Sequence, residues 1–363
     1  MKKDIYYAIL HVLTVITSII FVTQTIGFNL PLAFFCCGIG TLLFLLSTKG
    51  QLPIITGISG SYIAGIIAVS TQYGISYAVG GTLIAGIIYL VMSILVQKYP
   101  SIMKLFPKYI LSLAVVMIAL NLLPIGVNIV SLSPSTGLIT LVAVFLFSRI
   151  KSLKTFAFPL SIAVGTTYHA LLYGLTPLTI QTNLELTFPQ FNIYSFTLIG
   201  SVAFAILFEC LGDCRLMADT VNKPLKEHEV IRGNGLAILF SGLVGSAPIT
   251  SYTESVAFLR ETKHIKARST IIAALLLIAL AFIPQLTMWI AYIPQAVFGA
   301  ILVYLFATVL CNSFTMMELH TQRQSQVLVI ALAVYFVSPV VLPSVSPIAV
   351  AIVSATIMNK VLK

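Results

Sequence analysis

Long apolar runs separated by short polar connections recur along the whole chain. They fall at about 5–26, 29–48, 52–72, 76–97, 105–125, 134–149, 155–175, 195–217, 230–247, 249–262, 268–290, 294–313, 323–339 and 346–361, fourteen in all. A straight helical span of a bilayer takes about 20 apolar residues. Several runs fall short of that and the rest match it, so the pattern predicts a polytopic helical membrane protein. The longest connection, about 176–194, leaves no room for a separate soluble domain. The opening Met1-Lys2-Lys3 and its apolar stretch have the outline of a signal peptide. The stretch runs as long as a full span, however, and no small-residue cleavage site ends it, so it is read as the first span.

Two runs break the helical pattern. One is Gly50-Gln51-Leu52-Pro53-Ile54-Ile55-Thr56-Gly57-Ile58-Ser59-Gly60-Ser61-Tyr62, and the other is Gly245-Ser246-Ala247-Pro248-Ile249-Thr250-Ser251-Tyr252-Thr253-Glu254-Ser255. Each opens Gly-x-x-Pro-Ile and turns polar before an apolar half-span. Proline and polar residues at membrane depth free backbone groups that lipid cannot satisfy, so such a backbone must be buried in protein or face a cavity. The two are the third and tenth runs, in matching places of two seven-span halves. A weaker echo links Phe106-Pro107-Lys108-Tyr109-Ile110 with Ile293-Pro294-Gln295-Ala296-Val297. An odd number of spans per half inverts one half against the other. Interrupted segments in inverted repeats point to a transporter binding site near the midplane. The alternative is a pair of ordinary proline-kinked helices.

Composition narrows the class. Of 363 residues 59% are hydrophobic and only 8% charged, against about 25% charged in a soluble domain. That excludes a cytoplasmic enzyme, a secreted disulfide scaffold and a disordered chain. The five cysteines, Cys36, Cys37, Cys210, Cys214 and Cys311, lie in apolar runs without metal-ligand spacing and read as reduced packing residues. The net charge of +10 is a topology signal. With the N-terminus inside, the inner side holds Lys2 and Lys3; Lys49; Lys98, Lys104 and Lys108; Arg149, Lys151 and Lys154; Arg215, Lys223, Lys226 and Arg232; Arg260, Lys263, Lys266 and Arg268; Arg323; Lys360 and Lys363. That is all 20 basic residues, and the outer connections hold none. The positive-inside rule thus predicts an even number of spans with both termini cytoplasmic. No acidic partner and no nucleic acid is needed to explain the charge.

Ten acids remain. Asp4, Glu185, Glu227, Glu229, Glu261 and Glu318 fall in or near connections and read as solvated loop charges. Asp219 reads as solvated or paired with Arg215 or Lys223. Three lie at depth. Glu209 and Asp213 are spaced i,i+4, on one face of span 8. Glu254 sits where the span-10 half-helix starts, a position the helix dipole favours for a carboxylate. No Lys or Arg accompanies them, so either they carry a proton part of the time or they hydrogen-bond a substrate. Asp213 has a second reading, as a residue that orients span 10. His11 in span 1 is either a satisfied packing residue or a site residue. Tyr62 and Tyr252 either stack on a flat ligand or pack the core. His169, His228, His264 and His320 read as interface or loop residues, and Trp289 as an anchor at the outer membrane interface.

At these residues the chain resembles the nucleobase–cation symporters, the family of bacterial uracil and xanthine permeases. The resemblance covers nearly the whole chain. Phe208–Asp213, FECLGD, resembles the family's Glu-x-x-Gly-Asp signature. Gly245–Lys263, GSAPITSYTESVAFLRETK, resembles its Gly-x-x-Pro-x-Thr-[Ser/Thr]-Tyr-x-Glu-Asn-x-Gly stretch. GQLPIITGISGSYIAG resembles the span-3 strand, and KLFPKYILSLAVVMIALNLLP the opening of the gate domain. The resemblance implies an all-α fold of 14 spans in two inverted repeats, with short strands in spans 3 and 10. It implies a core domain (1–99 and 195–292) and a gate domain (100–178 and 293–363). Carried onto matching positions, Glu209 and Glu254 would bind the base, and Tyr252 would line the pocket. Backbone amides near Gly60 and Thr253, with Ser59 and Ser61 on either side of Gly60, would complete the contacts. Asp213 and His11 would join Glu209 in the proton-coupling network. The chain departs from the pattern at Ser255, where the family has Asn, at Ala257, where it has Gly, and at Ser59-Gly60-Ser61, which lacks an aromatic. Tyr252 and Glu254 resemble uracil permeases; xanthine and urate carriers usually have Phe and Gln there.

The expectation is a cell-membrane importer of uracil coupled to H⁺, or to Na⁺, without cofactor or metal. It would be surrounded by lipid and would form a homodimer. A purine permease is the near alternative. An anion transporter of the same architecture would favour positive charge at its site, against the two acids here. A channel would need a filter-like sequence, and an intramembrane enzyme a motif such as HExxH or GxSxG; neither occurs.

Overall fold

The structure, a computed structural model, describes residues 2–105, 107–150, 153–177, 183–222, 224, 226–317, 321–343 and 345–362. Lys151, Lys223, Lys363, Glu318 and His320 of the sequence reading lie outside the described residues. The chain is mostly helical: α1 Lys2–Ile26, α2 Leu30–Ser47, α3 Ile63–Tyr73, α4 Ile75–Lys98, α5 Lys108–Val130, α6 Pro134–Arg149, α7 Ala157–Tyr173 and α8 Ile193–Thr220. There follow α9 Glu227–Val244, α10 Thr253–Thr262, α11 Ala267–Leu280, α12 Pro284–Ile290, α13 Gln295–Met316, α14 Gln322–Val341 and α15 Pro347–Val361. Two strands, β1 Thr56–Ile58 and β2 Ile249–Ser251, interrupt them. Among the described residues, six helices are long and apolar enough to cross a membrane: α1, α2, α4, α8, α14 and the Ser112–Val130 part of α5.

Local chemistry sets the helix ends. Asn29 caps α2 by accepting the Leu32 N–H at 2.8 Å, with Pro31 in the first turn. Asn192 caps α8 through the Ser195 N–H at 2.7 Å, and Thr321 with Gln324 closes a capping box on α14. In α14, Pro339 has no N–H to give the Tyr335 carbonyl one turn back, and Ser338 Oγ donates to that oxygen instead at 3.3 Å. α4 lies flush on α9 because glycines face its backbone. A Cβ on Gly86 would stand 2.7 Å from Leu239 N, and one on Gly242 2.8 Å from Leu83 N. Helices α1, α2, α4, α8, α9 and α11 pack on one another around the strands; α5, α6, α7, α13, α14 and α15 form a second group.

Four expectations are corrected. The run 268–290 is two helices, because Pro284 cannot continue the ladder of α11 and the chain turns at residues 281–283. Asp4 is buried rather than solvated, since the start of α1 packs on the α10–α11 connection. Its carboxylate lies 3.2 Å from His264 Nε2 and 3.7 Å from Lys266 Nζ. Glu229 is also buried, 3.6 Å from both Lys49 and Lys226, as a buried charge requires. Cys311 is exposed, unlike the other four cysteines. Arg215 pairs with Glu227 at 3.3 Å, and Asp219 is exposed.

Candidate functional site

The two interrupted segments meet. β1 and β2 pair antiparallel in the register Thr56↔Ser251, Gly57↔Thr250 and Ile58↔Ile249. Flanking bonds extend the ribbon: Ser59 N–H donates to the Pro248 carbonyl at 2.9 Å, and Tyr252 N–H to the Ile55 carbonyl at 3.1 Å. A two-stranded ribbon leaves outward amides at both edges, and at this depth each needs a partner. Helix side chains supply them. Thr41 Oγ1 of α2 accepts the Thr56 N–H at 3.0 Å, and Asn234 Oδ1 of α9 accepts the Ser251 N–H at 2.7 Å. Thr56 and Ser251 are register partners, so one pair of equivalent positions is held in equivalent ways.

The ribbon is also wedged shut. Tyr252 leans across Gly57 and its hydroxyl donates to the Ile58 carbonyl at 2.6 Å. A Cβ on Gly57 would stand 2.4 Å from the ring's Cζ, so only glycine admits the ring.

Beyond each strand a helix begins. A 3₁₀ turn at Gly60–Tyr62 leads into α3, and α10 starts at Thr253. Their N-terminal ends flank one cavity of about 60 Å³. Unsatisfied amides at helix starts carry partial positive charge. α8 crosses both, and its two acids, one turn apart, each take a hydroxyl from a different half-helix. Ser61 Oγ donates to Glu209 Oε2 at 2.8 Å, and Thr253 Oγ1 to Asp213 Oδ2 at 2.5 Å. α1 holds the next two residues of α10. Ser18 Oγ donates to Glu254 Oε1 at 2.6 Å, and His11 Nε2 lies 2.7 Å from Ser255 Oγ with its ring stacked on Phe258. Ser255 Oγ also accepts the Ile55 N–H at 2.8 Å. Serine in place of the family's Asn therefore still links α1, the ribbon and α10.

Of the residues singled out in the sequence, Glu209, Glu254, Tyr252, Thr253, Ser59, Gly60 and Ser61 line the cavity. Asp213 and His11 stand behind it, each one hydrogen bond from α10. Tyr62 is fully buried and is not among the lining residues. Sequence reasoning missed Ser18, Phe21 and Val22 of α1, and the stripe Ile301, Leu302, Leu305, Phe306 and Val309 of α13. Ser18 had one signal, its place seven residues after His11, hence on the same face of the helix. The lining includes two acids, several hydroxyls and no Lys or Arg. One wall is polar and the α13 wall is apolar. Such a cavity suits a flat neutral molecule with N–H and C=O groups on its edges.

Residues 2–343 match the profile of the permease family designated Xan_ur_permease. A uracil permease of Bacillus caldolyticus is 28% identical over 335 residues, covering 85% of this chain and 78% of that one. A xanthine permease of Bacillus subtilis is 23% identical over 373 residues, covering 92% and 84%. Among solved structures, the transmembrane domain of a cyanobacterium bicarbonate transporter, BicA, matches with a TM-score of 0.71 at 13% identity, over 98% of this chain and 96% of that one. That likeness identifies the helical membrane-transporter fold. The chain is therefore a multi-pass membrane protein and not an enzyme, and it belongs to the xanthine/uracil permease family of nucleobase transporters.

Proposed function

We propose that this protein imports uracil with a proton by alternating access, the base being held between the N-terminal ends of α3 and α10 and the face of α8. The carrying observation is the pair Glu209 and Glu254, both lining one cavity with no Lys or Arg among its lining residues. Uracil presents N–H donors next to carbonyl acceptors. The carboxylates accept from the first, and the amides near Gly60 and Thr253 donate to the second. A base lacking a matching group would leave these groups unpaired, which costs about 1–3 kcal/mol each. Glu209, Asp213 and His11 form the proton-coupling network, with H⁺ as the coupling ion and Na⁺ as the competing choice.

In this reading fourteen spans form two inverted repeats, with spans 1–4 and 8–11 as core domain and spans 5–7 and 12–14 as gate domain. The separation of helix packing into two groups supports that division. So does the apolar face that α13 turns to the polar site, because a smooth wall can slide past it. The distribution of basic residues supports cytoplasmic termini in the cell membrane. Assembly as a homodimer belongs to the same reading.

The test is uptake of radiolabelled uracil into membrane vesicles under an inward proton gradient, with and without Na⁺ and with xanthine as competitor. Glu209→Gln and Glu254→Gln should each lower uptake roughly 10- to 150-fold, the equivalent of the ~1.5–3 kcal/mol of a hydrogen bond to a charged group. Wild-type uptake in both variants would refute the role of both acids. Uptake blocked by xanthine but carrying no uracil would move the assignment to a purine permease.

A further inference from the structure

A hydroxyl has one proton to donate and two lone pairs with which to accept. At this cavity four hydroxyl protons are turned away from the ligand space. Tyr252 gives its proton to a main-chain carbonyl and Thr253 gives its own to Asp213, behind the cavity. Ser18 and Ser61 differ from these, because each donates to a carboxyl that itself lines the cavity, Glu254 and Glu209 respectively. With both acids ionised, the two serines therefore show the base only lone pairs.

Resting on the reading of proton-coupled nucleobase transport, we propose that Ser18 and Ser61 are positioning residues that report the protonation of their acids to the base by reversing their hydrogen bonds. A proton entering on Glu254 Oε1 forms a carboxyl O–H. That O–H donates to the oxygen 2.6 Å away, Ser18 Oγ. The serine then accepts, and its own proton is released to turn into the cavity as a donor. The only bond formed is the O–H on the acid, and the serine keeps its proton throughout. The same exchange holds for Glu209 Oε2 and Ser61 at 2.8 Å. The base thus meets an acceptor when the acid is ionised and a donor when it is protonated. A carbonyl at that edge is bound with the proton and released without it. This difference in affinity between two states is what a coupling mechanism requires.

The surroundings do not short-circuit the exchange. α8 turns Glu209, Asp213 and the thiols of Cys210 and Cys214 toward this region, α2 turns Cys37 toward Tyr252, the 3₁₀ turn carries Tyr62, and α4 brings the Tyr89 hydroxyl to within 3.7 Å of Cys210 Sγ. α1 carries His11, which reaches Ser255 rather than Glu254. α13 brings only apolar side chains to the cavity.

The test uses purified full-length protein in liposomes and radiolabelled uracil in two modes. Counterflow at equal pH on both sides reads binding and exchange; net uptake under a pH gradient reads coupling. Ser18→Ala and Ser61→Ala should each lower counterflow by no more than roughly 10- to 150-fold, since each removes a hydrogen bond to a charged group worth about 1.5–3 kcal/mol, and coupling is read from the ratio of gradient-driven uptake to counterflow in the same variant. At least one of them should lose the stimulation by the gradient and show a KM for uracil that no longer varies with pH. The one that does so identifies the acid that carries the proton. Threonine at the same position, which keeps the hydroxyl, should restore the stimulation. Gradient-driven uptake with the wild-type pH profile in both alanine variants would overturn the proposal, as would threonine variants that exchange uracil without regaining pH dependence. Absence of uracil counterflow in the wild type would instead overturn the substrate assignment on which the proposal rests.

Discussion

Replacing Gly57 tests whether the ribbon and the cavity are built as described. Gly57 sits in the middle of β1, opposite Thr250. A Cβ there would stand 2.4 Å from Tyr252 Cζ and 2.5 Å from Cε2, where two carbons rest at about 3.5–4.0 Å. The ring must retreat by more than 1 Å by that comparison, yet it is only 6% exposed and its hydroxyl is held by the Ile58 carbonyl. Overpacking of this kind costs about 1–3 kcal/mol, and loss of the tyrosine hydrogen bond adds about 0.5–1.5 kcal/mol. Gly60→Ala is the control. Its Cβ would meet Phe306 Cζ and Val22 Cγ2 at 3.5 Å, ordinary contacts, but it would stand in the cavity. Thermal melting of the detergent-purified protein, with and without uracil, separates the two. Gly57→Ala should melt lower and transport poorly. Gly60→Ala should melt like wild type but lose the stabilisation that a bound ligand confers. A Gly57→Ala protein with wild-type melting and uptake would refute the wedge, and a Gly60→Ala protein destabilised to the same degree would refute the cavity assignment.

Other perturbations follow from the same geometry. Asn234→Ala removes the acceptor of the buried Ser251 N–H and should cost about 1–3 kcal/mol of stability in denaturant or thermal melts; Thr41→Ala should do the same through the Thr56 N–H. Ser255→Ala strands both His11 Nε2 and the Ile55 N–H, so it should destabilise more than His11→Phe, which keeps the stack on Phe258 and leaves Ser255 bonded to Ile55. A single cysteine at Leu132 should react with a membrane-impermeant maleimide on intact cells, and one at Lys98 only after permeabilisation. The opposite pattern would reverse the orientation drawn from the basic residues.

What was legible in the sequence is what costs free energy at membrane depth. Pro53 and Pro248 cannot sit in an undisturbed lipid-facing helix, and the two strands lie just beyond them. Glu209, Asp213 and Glu254 are too costly to be incidental, and all three are found within one hydrogen bond of the half-helix starts. Ser18 was legible only as a residue on the face of His11, because a hydroxyl in an apolar helix ordinarily bonds its own backbone one turn back. Thr14 and Thr23 do so, to the carbonyls of Leu10 and Ile19. Nothing local says that Ser18 donates to a residue 236 positions away instead. The α13 wall was hidden for a related reason. A helix apolar on every side carries no mark of which side faces a cavity. Asp4 and Glu229 misled by position: proximity to a connection suggested solvent, while tertiary packing buried both against cations. The break before Pro284 is marked in the sequence by the proline alone, inside a long apolar run.

The fold itself leaves the sign of the substrate open, and the proposed reading rests on the side chains. A transporter of bicarbonate, an anion, shares the architecture at a TM-score of 0.71, and two helix starts converging on a cavity are intrinsically suited to negative charge. In this chain the same positive ends are met by carboxyls from two elements. Glu254 stands in the first turn of α10 itself, and Glu209 reaches the other half-helix through Ser61. On the proposed reading the acids take the role an anion would have, so that with both ionised the cavity would repel anions and rely on the backbone amides as donors. A neutral ring would then bring its own N–H groups to the acids and its carbonyls to the amides, and on the same reading an incoming proton would alter that balance at the oxygens that contact it.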